Sequence, residues 1–246
     1  MAILVTGGTK GIGLDVALAF AEPAADVFLN YHADEAAANE AKARVEARGA
    51  RCHLLRGDVG VPDEARRIVA RVGAVTDRLD QLVHCAVKVV AKPALEITPE
   101  ELAAATGING LALHTLVQAA LPLFRRGSSV FFLSSRGGRI VIPNYAAIGI
   151  GKALAESLVR YLAVELAPRG VRINCIAPSV VETDAVKAVF GDKTEGIMRH
   201  AAEDNPSGRA VSPEDYTSLI RYLASPAAAF IQGQVIYVNG GHNLMG

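Results

Sequence analysis

Two textures alternate along the chain. Short, mostly apolar runs at residues 3–6, 26–31, 51–55, 81–85, 128–133, 171–176 and 234–238 predict strands. Longer stretches with helical spacing of apolar positions fill the gaps, at 11–21, 34–47, 62–75, 99–123, 146–166 and 213–223. The run Val130-Phe131-Phe132-Leu133 is apolar at every position, as a strand covered on both faces requires. Pro23, Pro168 and Gly170 stand where helices should stop. Strand–helix alternation with right-handed crossovers predicts a doubly wound parallel α/β sheet. With no linker or internal repeat in sight, residues 1–246 read as a single domain. The segment 184–210 breaks the alternation, mixing helical material with Gly191, Gly196 and Gly208 after the sixth strand. Ligands of open α/β sheets bind beyond the carboxyl ends of the strands, so a segment leaving from such an end is expected to be a lid.

Composition narrows the possible partners. Half of the chain is apolar (51%) and only 20% is charged, enough apolar material for a real core and incompatible with intrinsic disorder. Lys plus Arg and Asp plus Glu are 25 each, so there is no basic excess of the kind that grips nucleic-acid phosphates. The two long stretches without formal charge, 102–124 and 222–246, are interrupted by Pro, Gly, Asn and Gln, which argues against a membrane span. The first residues lack a basic region ahead of an apolar one, so a secretory signal is not expected. Three scattered cysteines, Cys52, Cys85 and Cys175, read as reduced thiols in strands, consistent with a cytoplasmic address. The six histidines form no ligand spacing, and no metal site is expected.

The first candidate chemistry is Thr6-Gly7-Gly8-Thr9-Lys10-Gly11-Ile12-Gly13, between the first strand and the first helix. Glycines there permit a tight turn and let backbone N–H groups approach a pyrophosphate at the positive end of the helix. The second strand ends in Asn30-Tyr31-His32, without the acidic residue that would accept bonds from an adenosine ribose. Lys10 adds a cation to the loop. Together these favour NADPH over NADH, with Asp58 and Val59 expected at the adenine pocket.

The glycine pattern, Asp58, Asn109, a Ser ahead of a Tyr and a Lys, and Asn239-Gly240-Gly241 together resemble the short-chain dehydrogenase/reductase family over essentially the whole chain. The resemblance implies a Rossmann-type sheet of about seven strands, a nicotinamide cofactor and hydride transfer to or from a small organic substrate, commonly in a homotetramer. It places Cys85 and Ala86 beside the cofactor, Pro178 and Val181 along the nicotinamide, and Thr183 near its carboxamide. Asn109 would bend a helix and help hold Lys152 through water, as in carbonyl reductases of the family. Where the family usually has Gly after the proline, this chain has Ser179.

Its departures from the family pattern are informative. The family's catalytic Tyr usually precedes its Lys by four residues, but here Tyr145 precedes Lys152 by seven, and Ile148 occupies the usual place. At ~100° per residue both offsets fall on one helix face, while the axial separation grows from ~6 to ~10.5 Å. The Tyr-x6-Lys spacing resembles the enoyl-acyl-carrier-protein reductase group, as do Ile142-Pro143-Asn144-Tyr145, Arg160-Tyr161-Leu162-Ala163 and the His of Val83-His84-Cys85-Ala86. Ser135 stands where that group often carries a second tyrosine. The expected activity is NADPH-dependent reduction of the double bond of an α,β-unsaturated acyl thioester. Tyr145 would stabilise the enolate, Lys152 would hold the nicotinamide ribose and lower the Tyr pKa, and Ser135 or Ser134 would supply a hydroxyl. A keto or imine reductase using the displaced Tyr is the alternative, and a catalytically silent dinucleotide-binding protein is a third reading. An acidic acyl carrier protein would need a basic patch, for which Arg136, Arg139, Lys187, Lys193 and Arg199 are the candidates.

Overall fold

In the computed structural model, which describes residues 1–242, seven strands form one sheet in the order β3-β2-β1-β4-β5-β6-β7, every neighbouring pair parallel. The strands are β1 (Ala2–Thr6), β2 (Asp26–Tyr31), β3 (Arg51–Arg56), β4 (Gln81–His84), β5 (Ser129–Leu133), β6 (Arg172–Pro178) and β7 (Val235–Val238). All seven lie within a residue or two of the predicted runs. The order reverses between β1 and β4, and the crevice at such a switch point is where this class of sheet binds its ligand.

Period-two alternation sorts the sheet into two apolar faces. Leu4, Phe28, Leu82, Val130 and Phe132 pack in one layer with α3 (Pro62–Gly73), α5 (Ala112–Ala120) and α6 (Ala146–Leu166). Ile3, Val5, Leu29, Val83 and Phe131 face the opposite layer, with α1 (Gly11–Phe20), α2 (Glu35–Glu46) and α9 (Pro213–Ala224). Cys52 and Cys175 are buried within strands, whereas Cys85 stands one residue beyond β4 and only half-buried.

The helix expected over 99–123 is not continuous. It begins as α4 (Pro99–Thr106), with Thr98 and Glu101 forming a reciprocal cap, widens into a π turn (Gly107–Leu111), and resumes as α5. Gly107 and Gly110 bound the widened turn. Apolar periodicity cannot register one extra residue per turn. Both α4 and the π turn pack against α6, the helix that carries Lys152. Segment 184–210 folds into α7 (Asp184–Phe190) and α8 (Thr194–Glu203), joined by one short turn. Its far end is pinned to the stretch after β7: the Asn205 amide donates to the Asn239 carbonyl at 3.0 Å and Ser207 Oγ to the Gly240 carbonyl at 2.9 Å. Among the described residues no helix is long and apolar enough to cross a membrane.

Candidate active site

The cleft beyond the carboxyl ends of the strands has a volume of about 1700 Å³ and is the main cavity described in the chain. Its glycine-rich end is shaped by backbone contact. Gly7 has φ +61°, and a side chain there would put Cβ 2.8 Å from Ala86 Cα, so β1's exit loop lies directly on the residues after β4. Gly13 is in backbone contact with the Gly7 carbonyl, which explains its glycine without making it a cleft residue. Gly7, Thr9, Lys10, Gly11 and Ile12 do line the cleft, as do Tyr31 and His32.

Two expectations for this end need correction. Asn30 turns away from the cleft: its amide donates to the Leu55 and Gly57 carbonyls, both at 3.0 Å, and so ties the end of β2 to β3. Asp58 and Val59 also lie outside the lining. Asp58 accepts from the Gly60 amide at 2.8 Å, and Val59 is buried in the core. The Lys10 cation is paired, its ammonium lying 2.6 Å from Asp34 and 3.3 Å from Asp184. Asp34 caps α2 and Asp184 begins α7, so this pair of bridges joins three elements around the mouth. The root of α7 is close as well, because a Cβ on Gly11 would stand 2.9 Å from Thr183 Cγ2. Arg44, on α2, lines the same end and was not singled out from sequence. Nothing local marks it among the other charges of that helix.

Tyr145, Ser135 and Lys152 line the cleft together further from the loop, and Cys85, Ala86, Pro178, Val181 and Thr183 line it as well, with Ala86 and Thr183 in reach of the glycine loop. Tyr145 is not within α6. It is the residue before the first turn, with φ −111° and ψ 2°, and it follows Asn144 in the left-handed region at φ 59°. Helical offsets therefore do not fix its place. Its ring lies against Gly137, where a Cβ would meet the ring carbons at 2.5 Å. Gly149, at the position where the four-residue spacing would call for lysine, makes backbone contact with Gly137, so no larger residue fits. Ile148 is buried at 1% exposure and cannot reach the cleft. Burial raises the Tyr145 pKa, opposed by a hydrogen bond with Ser135 and by the charge of Arg136. Lys152 is not what tunes it, contrary to expectation. A phenol held neutral this way is a hydrogen-bond donor, suited to an oxygen on which negative charge appears.

Lys152 is buried at 5% exposure, and its ammonium donates to the Leu133 carbonyl at 2.6 Å and lies 4.7 Å from the centre of the Phe132 ring. Burial lowers its pKa to about 8, against smaller opposing effects from Cys85, Cys175 and Glu156. One turn further along α6, Glu156 is 3% exposed, accepting from Ser134 Oγ at 2.6 Å and from Arg139 Nε at 3.1 Å. Ser134 thus faces the helix, and Ser135 is the hydroxyl beside Tyr145. Glu156 was missed from sequence, although its spacing of four from Lys152 places both on one helix face.

Asn109 sits where the helix is interrupted, as expected of a residue that bends it. It lies outside the cleft in the π turn, its Oδ1 accepting from the Lys88 amide at 2.8 Å and its Nδ2 donating to the Lys88 carbonyl at 2.9 Å and the Ala147 carbonyl at 3.5 Å. Of the five basic residues expected near the mouth, Arg136, Lys187, Lys193 and Arg199 line the cleft. Lys187 pairs with Glu182 at 3.0 Å, and Arg139 is turned to Glu156.

A parallel seven-stranded sheet with a glycine loop at its switch point, facing a tyrosine and a buried lysine, defines a dinucleotide-dependent oxidoreductase. Comparison places it more closely. The family model described as "Enoyl-(Acyl carrier protein) reductase" matches residues 7–243, and the chain belongs to this short-chain dehydrogenase/reductase family. It is 32% identical over 242 residues to an uncharacterized oxidoreductase of Mycobacterium tuberculosis, covering 97% of this chain and 90% of that one. It is likewise 32% identical over 250 residues to the NADH-dependent enoyl-[acyl-carrier-protein] reductase of Synechocystis sp., covering 98% of this chain and 96% of that protein. A short chain dehydrogenase from Burkholderia cenocepacia in complex with NADP superposes with a TM-score of 0.88 at 27% identity, covering 98% and 97% of the two chains. The cofactor class is therefore a nicotinamide dinucleotide, and the residues of the cleft fit one: a helix N-terminus with no side-chain cap behind glycines at one end, a buried ammonium at the other.

Proposed function

We propose that the protein reduces the carbon–carbon double bond of an α,β-unsaturated acyl thioester with NADPH. The observation that carries this reading is the position of Tyr145. It faces the cleft three residues ahead of the usual site, while Ile148 at that site is buried. When bound, the nicotinamide supplies the hydride that reaches the β-carbon. The Tyr145 phenol then donates to the thioester oxygen as enolate charge develops, and Ser135 orients the phenol. Lys152 holds the nicotinamide-ribose hydroxyls, and Pro178, Val181 and Thr183 form the wall along the ring. The enolate collapses as its α-carbon takes a proton from water, which restores the thioester carbonyl and leaves the Tyr145 phenol protonated. On this reading 184–210 is a lid, since Phe190 and Ile197 line the same cleft as Ile142 and Tyr145.

NADPH is preferred to NADH because the cleft end of β2 offers Tyr31 and His32 rather than a carboxylate, with Lys10 and Arg44 close to the same end. A 2′-phosphate would then compete with Asp34 and Asp184 for Lys10. An acyl group carried by an acidic protein fits the rim formed by Arg136, Lys193 and Arg199. Exposed Ile150, Tyr161 and Val164, spaced by eleven and three residues on one face of α6, support a homo-oligomer. The deciding assay follows NADPH absorbance with crotonyl and acetoacetyl thioesters in turn. Oxidation with the crotonyl substrate supports the proposal; oxidation with the keto substrate alone replaces it by a carbonyl reductase.

A further inference from the structure

His84, the last residue of β4, is completely buried and outside the cleft. It spans two elements that share no other side-chain link described in the chain. Its Nε2 lies 2.9 Å from the Ile108 carbonyl in the π turn, and its Nδ1 lies 2.6 Å from Thr6 Oγ1 at the end of β1. A carbonyl only accepts, so Nε2 carries the ring proton and Nδ1 accepts from the Thr6 hydroxyl. Thr6 Oγ1 in turn accepts from the Ala86 amide at 3.4 Å. Burial, with the Lys152 charge adding to it, lowers the His84 pKa to about 4, which keeps the ring neutral and this pattern of donors intact.

Each end of the bridge continues into the cleft. Thr6 leads directly into Gly7 and the glycine loop. The π turn meets α6 without side chains to cushion the contact: a Cβ on Gly110 would lie 2.7 Å from the Gly151 carbonyl, and one on Gly151 would lie 2.6 Å from Asn109 Cβ. Lys152 is the next residue, and Asn109 also holds the Ala147 carbonyl two residues after Tyr145. A shift of the π turn therefore moves the tyrosine and lysine directly.

We infer that His84 is a positioning residue, coupling the glycine loop to the Tyr145–Lys152 end of α6 through the Ile108 carbonyl of the π turn. The inference rests on the proposed roles of Tyr145 and Lys152 for its kinetic consequence, but not for its structural one. The alternative is that His84 merely fills volume beside Phe132, whose ring centre is 5.6 Å away.

The two arms can be cut separately. In His84→Asn the amide oxygen takes the place of Nδ1 and keeps the Thr6 arm, but falls short of Ile108. His84→Gln reaches the Ile108 carbonyl and gives up the Thr6 contact. His84→Phe fills the space with neither. Three readouts are needed: NADPH affinity by fluorescence titration, hydrogen exchange of the amides at 147–152, and kcat with whichever thioester the wild type reduces. His84→Asn is expected to bind NADPH normally, to exchange faster at 147–152 and to lose about ten- to a hundredfold in kcat. His84→Gln should keep kcat and protection within about threefold and bind NADPH several-fold more weakly; His84→Phe should combine both defects. If Asn and Gln are indistinguishable in all three readouts, or each follows only the fall in Tm, the coupling is wrong and His84 is a space filler. If the wild type reduces neither thioester, the functional proposal fails, while binding and exchange still decide this one.

Discussion

The two ends of the cleft handle positive charge in opposite ways. At the mouth, Lys10 is half exposed and shared between two carboxylates that are themselves at least half exposed. At the floor, Lys152 is buried, rests on one carbonyl and one aromatic ring, and has no carboxylate within ion-pair distance among the described residues. A paired charge in water contributes little and is easily exchanged, whereas an unpaired buried charge is held at a standing loss of stability that the fold must offset. The mouth is therefore built for something that comes and goes. The floor holds its charge in one fixed place, as the role proposed for Lys152 requires.

The largest test of that contrast is at the floor. Tyr145→Phe removes only the phenolic hydroxyl from a ring seated on Gly137, so the fold is expected to persist while kcat drops about 10²- to 10³-fold. Stopped-flow titration of the reduced cofactor should give an unchanged Kd for the same variant. Turnover within about threefold of wild type would remove Tyr145 from the chemistry and leave the reaction class to other residues.

The next effect is pH dependence. With its pKa at about 8 instead of the ordinary 10.5, Lys152 loses its charge within the working range. The kcat/KM profile should therefore fall on the alkaline side with a midpoint near pH 8, about tenfold per unit beyond it. A limb first appearing above pH 10 would mean that the lysine is solvated in the working enzyme.

Stability runs in the opposite direction to activity. Between about pH 8 and 10.5 the unfolded chain keeps a proton on Lys152 that the folded chain has released, so this group makes stability rise with pH across that window. Below about pH 8 both states are charged and the folded state bears the whole penalty, on the order of 3 kcal/mol. Lys152→Met should consequently raise the melting temperature at pH 7 while abolishing most activity, and the gain should shrink toward pH 10.5. An equal or lower Tm at pH 7 would show that the ammonium's contact with the Leu133 carbonyl outweighs its desolvation.

How much of this was legible in the sequence differs between the same two regions. The strands were, because runs such as Val130–Leu133 have few other uses, and so was the glycine loop, because its glycines follow the first strand directly and Gly13 answers to the Gly7 carbonyl six positions before it, although the contact of Gly7 with Ala86 is long-range. That Tyr145 and Lys152 line one cleft followed from the family resemblance and not from the helical offset, since Tyr145 stands outside the helix whose period that offset assumes. What was not legible depends on side-chain direction and long-range contact. Asn30 has the right place in β2 for a ribose ligand, but its amide turns to β3, a choice made by the carbonyls of Leu55 and Gly57. Lys10 reads as a loop cation, and only the fold brings Asp34 and Asp184, the latter 174 positions away, beside it. The π turn escaped because Gly107 and Gly110 leave the apolar period of 99–123 undisturbed.

The smallest effect belongs to the mouth, and it separates a tether from a cofactor ligand. Asp184→Asn removes one of the two partners of Lys10 and frees the root of α7, while Asp34→Asn removes the other and loosens the cap of α2, where Asp34 accepts from the Ala37 amide at 3.0 Å. Exposed bridges of this kind are worth no more than about fivefold in an equilibrium, so neither variant should change NADPH affinity by more than that. The direction carries the information. If Lys10 is the ligand of a 2′-phosphate, each carboxylate competes with the cofactor, and both substitutions should tighten NADPH and leave NADH unchanged. If the Lys10–Asp184 bridge instead holds α7 down over a bound dinucleotide, Asp184→Asn alone should speed release of both cofactors about equally, and raising the ionic strength from 0.05 to 0.5 M, values chosen to take the screening length from roughly 14 to 4 Å, should reproduce that effect in the wild type. Dissociation rates by displacement, measured for both dinucleotides on both variants, distinguish the two, because only the first makes the response depend on a phosphate that NADH lacks.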